Sequence, residues 1–348
     1  MDRFNVAVVG ATGLVGQEFS KILEQRDFPI ASIQLLASER SAGEGLFFHH
    51  QRIEVEEAVP EKFRSVDIAF FSAGAEASRR LSPLAAGAGA VVIDNSAAFR
   101  MEPWVPLVVP EINPEDIEWN KGIIANPNCS TIQVVVALYP LHKVNPIKRI
   151  IASTYQSVSG TGIAALKELT GQTKSVLEGR STCPHVYSHQ IAFNILPEID
   201  VFLDDGYTKE EQKMLDETRK IMHAPDILVS ATCVRVPVYF GHSVALNVEF
   251  DSPITAEEAR KILAQAPGVR VLDDPVVSFY PQPWAATNSD HVFVGRIRKD
   301  ASHPSGLVMW VVADNIRKGA ALNAIQIAEE GIRRGWLSPK DVETRVKA

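Results

Sequence analysis

Short, unbroken apolar runs alternate along this chain with longer stretches in which apolar residues recur at helical spacing. Phe4-Asn5-Val6-Ala7-Val8-Val9 reads as a strand buried on both faces. A glycine-punctuated turn, Gly10-Ala11-Thr12-Gly13-Leu14-Val15-Gly16, follows, and Gln17 to Leu23 carry helical spacing. The strand pattern returns at Ser32–Ala37, at Val66–Phe71 before Ser72-Ala73-Gly74, and at Ala90–Asn95. Gly122-Ile123-Ile124-Ala125 is a shorter run, stopped by Pro127. Strands that alternate with helices and end in small or polar residues predict an α/β doubly wound parallel sheet. Its ligand is expected at the carboxyl ends of the strands.

The second half has a different pattern. Arg149–Gln156 is a predicted strand that runs into the turn Ser157-Val158-Ser159-Gly160-Thr161-Gly162. Thr208 to Met222 is helix-like and contains the charged run Lys209-Glu210-Glu211-Gln212-Lys213, which on pattern alone is a solvated face. Arg235 and His242 share one short segment before strand character resumes at Val244–Phe250. After a last strand, Leu307–Val312, Asp314-Asn315 is expected to cap a helix that offers Ala320, Ala321, Ile325, Ile327 and Ala328 for packing.

Two places on this pattern carry candidate chemistry. Cys129, in Asn126-Pro127-Asn128-Cys129-Ser130-Thr131, stands between a strand and an apolar run that Ser130 and Thr131 can start as a helix. A thiol there meets backbone N–H groups and the positive end of a helix dipole, which suits a nucleophile and an oxyanion. A small buried cysteine packing a helix start fits the same pattern. The glycine turn at Gly10–Gly16 lies where a dinucleotide fingerprint belongs, but its spacing is G-x-x-G-x-x-G, so a tight packing turn remains the alternative. After the second strand, Glu39 suits a ribose hydroxyl, while Ser38, Arg40 and Ser41 suit a 2′-phosphate; three groups against one favour NADP. His242 is a proton carrier by type. His185 and His189 have the spacing of a metal pair on a helix, but lack a third ligand and have Pro184 beside them, so no metal is expected.

Composition narrows the classes. The 348 residues allow two domains, and the net charge of −7 argues against a nucleic-acid footprint. The sequence has no apolar run of membrane-spanning length, and Phe4 enters a strand without a signal peptide before it. The three cysteines, at 129, 183 and 233, form no disulfide framework. A cytoplasmic protein without membrane partners is expected.

Taken together, GATGLVG at 10–16, LASERSAG at 36–43, PNCSTIQ at 127–133, STYQSVSGTG at 153–162, FNILPEID at 193–200, ATCVRVPV at 231–238, GHS at 241–243, FVGRIRKD at 293–300 and MWVVADNIRKGAALN at 309–323 resemble the aspartate-β-semialdehyde dehydrogenases from end to end. Between them, the Thr170–Ser188 segment looks shorter than in some relatives.

The resemblance implies a Rossmann-like NADP-binding domain over 1–128 and 315–348, and an α+β catalytic and dimerisation domain over 129–314. The C-terminal helix would return to the first domain. It implies a homodimer that converts L-aspartyl-4-phosphate, with NADPH, to L-aspartate-4-semialdehyde and phosphate. This is a reversible step in lysine, diaminopimelate, threonine, methionine and isoleucine biosynthesis. Carried onto this sequence, Cys129 is the nucleophile that forms an acyl-thioester, His242 the acid/base and Gln156 the residue that orients the substrate. Arg235 would grip the substrate carboxylate, Glu210 its ammonium group, and Arg100 with Lys213 the phosphate, with Asn128 as a further substrate contact. Gly10, Thr12, Gly13, Leu14, Val15, Ser38, Arg40, Ser41, Ser159, Gly160 and Asn315 would surround the cofactor.

Two rivals remain. N-acetyl-γ-glutamyl-phosphate reductase runs similar chemistry, but its nucleophile motif resembles G-C-Y-P-T and its substrate has no ammonium for Glu210. A non-catalytic paralogue acting as a binding protein had no need to keep Cys129, Gln156, Arg235 and His242 together.

Overall fold

A computed structural model describes residues 2–340. The chain divides into two compact units. One comprises the chain up to Pro127 and from Ala320 onward, the other Asn128–Gly319.

The first unit opens with β1 (Phe4–Val9), α1 (Leu14–Gln25) and β2 (Ile30–Ala37). A hairpin of β3 (Gly45–Phe48) and β4 (Gln51–Glu54) follows, then the short β5 (Glu56–Glu57). β6 (Ile68–Phe71), α2 (Ala75–Gly87), β7 (Val91–Asp94) and β8 (Ile123–Ala125) complete this stretch. The sheet is parallel throughout, in the order β5-β2-β1-β6-β7-β8. Strand order reverses between β1 and β6, and that is where such sheets open a crevice at their carboxyl ends. Gly10 ends β1 there with φ +86°, and a β-carbon on it would lie 2.3 Å from the Ser72 carbonyl that follows β6. Gly16 is as constrained, because its β-carbon would lie 2.1 Å from the Gly10 carbonyl. The turn needs glycine at both positions for close backbone approach.

The second unit begins with α3 (Cys129–Val144), β9 (Ile147–Gln156), α4 (Ile163–Leu177) and α5 (Lys209–Ile221). Then come β10 (Leu228–Arg235), β11 (His242–Phe250), α6 (Ala256–Ala264), β12 (Val269–Val271), α7 (Pro283–Ala286), β13 (Val292–Lys299) and β14 (Gly306–Ala313). Its sheet is mixed, in the order β10-β9-β11-β14-β13-β12. β9 runs parallel to β10, and β11 runs antiparallel to both β9 and β14. As a result the ends of β9, β10 and β14 and the start of β11 share one sheet edge.

The chain returns to the first unit as α8 (Leu322–Arg333). Leu322, Ile325, Ile327 and Ala328 join the core built by Phe4, Val6, Val8, Phe19, Ile22 and Phe70. Phe19 stacks on Phe70 with ring centroids 5.0 Å apart. The doubly wound sheet, the second domain and the returning helix are all as the sequence led us to expect. The expected cap is different. Asp314 Oδ1 accepts from the backbone N–H groups of Ile316 and Arg317, a π-turn spans Arg317–Ala321, and α8 starts only afterwards. Asn315 caps nothing; its side chain is drawn instead into a buried cluster with Ser157, Ser159 and Gly241.

Candidate active site

The apolar run after Cys129 is a helix, as expected, but it starts one residue earlier than Ser130 would have it. Asn128 is the cap: its Oδ1 accepts from the N–H groups of Ser130 (2.9 Å) and Thr131 (3.2 Å). Cys129 is therefore the first helical residue. Of the N–H groups at this helix start, where an oxyanion is expected to be held, those of Ser130 and Thr131 already serve the cap. A polar side chain at the cap position wins over serine and threonine further in, because only the residue before the helix can turn back onto its first N–H groups.

Asn128 is held on its other sides by α5. Its Nδ2 donates to Glu210 Oε1 at 2.9 Å, and its backbone N–H donates to Glu217 Oε2 at 2.6 Å. Glu210 and Glu217 are seven residues apart on this helix, so they lie on one face, and both are buried. Gln156 Nε2 reaches the same Glu210 oxygen at 3.3 Å, and Lys213 reaches the other at 3.1 Å. Lys213 also pairs with Asp200 at 2.7 Å. Burial pushes the Glu210 carboxyl up, yet the Lys213 charge and the Asn128 hydrogen bond outweigh it and hold Glu210 below the usual carboxylate range. Burial likewise works against the Lys213 cation, and Glu210 and Asp200 reverse that and raise it. The charged run is thus not a solvated face; it turns inward at Glu210.

The shared sheet edge gathers the other residues. Arg235 at the end of β10 is in register with Gln156 at the end of β9. Its Nη1 donates to the Ser157 carbonyl at 2.7 Å, its guanidinium lies 5.9 Å from the Tyr187 ring centre, and its buried Nε has no hydrogen-bond partner among the described residues. His242, at the start of β11, is fully buried. Burial first and the Arg235 charge second hold its pKa well below the ordinary histidine value, while the Gly241 backbone pulls the other way. Gly160 packs against both: a β-carbon there would come 3.1 Å from Arg235 Nη1 and 3.4 Å from the His242 ring. Gly319 does the same for the nucleophile candidate, with a β-carbon position 2.9 Å from that of Cys129.

In the first unit, Gly13 stands at the N-cap position of α1 without a side-chain cap, so the N–H groups of Leu14 and Val15 open the helix. Ser38, Glu39, Arg40 and Ser41 form a tight turn after β2, with the charged pair exposed; Thr12 Oγ1 lies 3.5 Å from Ser41 Oγ. Arg100 is buried, and donates from Nε to the Asn126 carbonyl (2.9 Å) and from Nη2 to that of Asn95 (2.7 Å).

Residues 5–120 match the family model for the semialdehyde dehydrogenase NAD binding domain, and residues 138–318 match the one for the semialdehyde dehydrogenase dimerisation domain. The aspartate-semialdehyde dehydrogenase of Aquifex aeolicus is 56% identical over 96% of this chain and 99% of its own. The chain belongs to the aspartate-semialdehyde dehydrogenase family. The Bacillus subtilis family member is 51% identical, covering 93% of this chain and 96% of its own. Among solved structures, aspartate semialdehyde dehydrogenase II from Vibrio cholerae, complexed with ASA, superposes with a TM-score of 0.93 at 49% identity, over 96% of this chain and 99% of that one. The Candida albicans enzyme, solved with NADP, gives 0.77 at 28% identity, over 96% and 100%. These relatives do not favour the N-acetyl-γ-glutamyl-phosphate reductase reading.

Within this family member, the second unit links Asn128, Gln156, Glu210 and Lys213 through hydrogen bonds, and Arg235 with His242 through Ser157. Ser159 and Asn315, expected around the cofactor, lie in the Ser157 cluster of this unit. His185 and His189 lie in an irregular segment rather than on a helix, so they do not share a helical face. The sequence reading missed Glu217 and Ser157. Glu217 had a signal, its seven-residue spacing from Glu210; Ser157 had none beyond following Gln156. No helix among the described residues is long and apolar enough to cross a membrane.

Proposed function

We propose that this family member catalyses the reversible, NADPH-dependent reductive dephosphorylation of L-aspartyl-4-phosphate to L-aspartate-4-semialdehyde through an acyl-thioester on Cys129. The observation that carries this reading is the gathering of Gln156, Arg235 and His242 at one sheet edge, with Glu210 joining Gln156 to the Asn128 cap of the Cys129 helix. The Cys129 sulfur attacks the acyl carbon, the bond to the phosphate oxygen breaks, and phosphate leaves. NADPH, when bound, supplies the hydride that reduces the thioester. The aldehyde then departs and the thiol is restored. Arg235 suits the substrate carboxylate, because its buried Nε is a donor without a partner. Glu210, kept ionised, suits the ammonium group, and Lys213 the phosphate. Asn128 orients the nucleophile through the helix cap, and His242 is the acid/base group that the resemblance assigns. Arg100 is carried as a phosphate contact from the resemblance alone.

Under this reading the first unit holds the nucleotide. Gly10 and Gly16 leave no room for a side chain, and the uncapped start of α1 offers N–H groups to a pyrophosphate. Ser38, Arg40 and Ser41 support NADP over NAD. A homodimer is the expected assembly, supported by the dimerisation-domain match and by exposed Phe193, Ile195 and Phe202 in the second unit. The deciding assay is reduction of NADP by aspartate semialdehyde with phosphate, run beside N-acetylglutamate semialdehyde. Turnover of the second substrate alone would replace this reading with its rival.

A further inference from the structure

The chain between α4 and α5 carries no helix or strand, yet two side chains of α4 hold part of it by its backbone. Glu168 Oε2 accepts from the N–H groups of His185 (2.8 Å) and Val186 (2.6 Å), and Oε1 accepts from that of Tyr187 (3.4 Å). Gln172 Oε1 accepts from the N–H groups of Ile191 (2.9 Å) and Ala192 (3.2 Å). Glu168 and Gln172 are four residues apart on one helix face, and Gln172 Nε2 donates to Glu168 Oε1 at 3.2 Å, so each braces the other. Side chains that satisfy backbone donors in this way fix the path of a segment that no ladder holds. The His185 and His189 segment is thus engaged through its backbone.

Two points on this segment reach Arg235. Leu196 exchanges backbone hydrogen bonds with it, at 2.8 and 2.9 Å. Nine residues earlier, the Tyr187 ring lies beneath its guanidinium carbon, 5.9 Å from the ring centre. The ring is fixed independently of the arginine. Its backbone is tied to Glu168, its hydroxyl donates to Thr161 Oγ1 at 3.1 Å, and its body packs on the apolar cluster that contains Leu169 and Ile191. Arg235 therefore meets the Ser157 carbonyl through Nη1 and an aromatic ring through its charge, while its buried Nε has no partner among the described residues. A cation is drawn to the face of a ring, more so where water is excluded, and a guanidinium placed there keeps its N–H groups for partners in its own plane.

We propose that Tyr187, set by the Glu168–Gln172 pair, is a positioning residue that fixes the Arg235 guanidinium for its contact with the substrate carboxylate. The inference rests on the proposed function in one respect, the assignment of Arg235 to that carboxylate.

The test is steady-state kinetics of the full-length enzyme in the semialdehyde-oxidising direction, with semialdehyde and phosphate varied separately. Tyr187→Leu removes the ring and should raise the KM for aspartate semialdehyde about tenfold, with kcat and the KM for phosphate within about twofold of wild type. 3-Aminopropanal, the same aldehyde without the carboxylate, should lose nothing in kcat/KM, because it offers Arg235 no group to grip. Tyr187→Phe keeps the ring and should restore the semialdehyde KM. Both Glu168 oxygens accept from backbone N–H groups, so Glu168→Gln turns an amide N–H₂ toward a donor and loosens the segment with the ring still in the chain. That variant should raise the same KM about threefold, and it decides the matter even where Tyr187→Leu fails to fold. An unchanged semialdehyde KM in either folded variant overturns the inference. So does a change in which kcat and both KM values move together, or an equal loss on 3-aminopropanal. A wild-type enzyme inactive on aspartate semialdehyde would instead refute the proposed reaction, and Arg235→Leu with an unchanged semialdehyde KM would refute the carboxylate assignment.

Discussion

The backbone N–H of Asn128 lies 2.6 Å from Glu217 Oε2, which ties the residue before the candidate nucleophile to a carboxylate 89 positions later in the chain. With Glu210 on the Asn128 amide, two acids of α5 grip one cap residue from both ends. The Cys129 helix therefore begins at a turn that leaves little freedom. A nucleophile must be held within a fraction of an ångström of its reacting geometry, and a doubly anchored cap achieves that without using the thiol itself.

Cys129→Ser should lower turnover by at least about a thousandfold while NADP binding stays near wild type, because a serine hydroxyl at this position has no comparable nucleophilicity. Cys183→Ser and Cys233→Ser should be mild. Cys233 is buried, and burial together with the Glu210 charge pushes its thiol far up, so it should resist alkylation. Steady-state assays and mass mapping after iodoacetamide check both halves; wild-type turnover in Cys129→Ser removes the thioester from the mechanism.

Arg40→Ala should weaken NADP and spare NAD. One charge-assisted contact to a 2′-phosphate is worth about 1.5–3 kcal/mol, or roughly tenfold to a hundredfold in affinity. Fluorescence titration with the two nucleotides measures the ratio. Equal use of NAD by the wild type would give the ribose to Glu39 instead.

Lys213→Ala should raise the KM for phosphate in the semialdehyde-oxidising direction about tenfold more than the KM for the semialdehyde, and arsenate should follow phosphate. Varying the two substrates separately decides it. An unchanged phosphate KM would leave Lys213 as the counterion of Glu210 and Asp200 only.

Stability should respond to acid through Asp300. The Ser302 hydroxyl, then the Asn247 amide, then the Ser302 N–H hold its carboxyl down to about 2 from an ordinary 3.8, against burial. A folded pKa below the unfolded one gives stability that is full above 3.8 and is lost as pH falls through about 2. Asp300→Asn should therefore melt below wild type at neutral pH, and the gap should close on acidification across that window. Thermal midpoints of both proteins as a function of pH give the answer; a gap independent of pH would mean that the ionised carboxylate is not what stabilises the β13–β14 turn.

Much of this protein was determined by local sequence. The runs that became β1, β6 and β7 are apolar enough to be buried on both sides, so a parallel sheet followed from composition at those positions alone. The glycines at 10 and 16 marked a close backbone approach, and Thr208 with Glu211 marked the start of α5. Cys129, Arg235 and His242 were readable because their residue types are rare in such surroundings and because whole motifs matched a family. Tertiary structure decided the rest. Asn128 rather than Ser130 caps α3, because α5 brings two carboxylates to hold it there. Glu210 faces inward and stays charged because Lys213 and the Asn128 amide outweigh the cost of its burial, which no helical pattern encodes. Ser157 meets His242 only because β11 runs antiparallel beside β9, placing residues 85 positions apart at the same edge. Spacing along a chain records which face a residue takes within its own element; partners from other elements depend on strand order and direction, which are fixed only when the core forms.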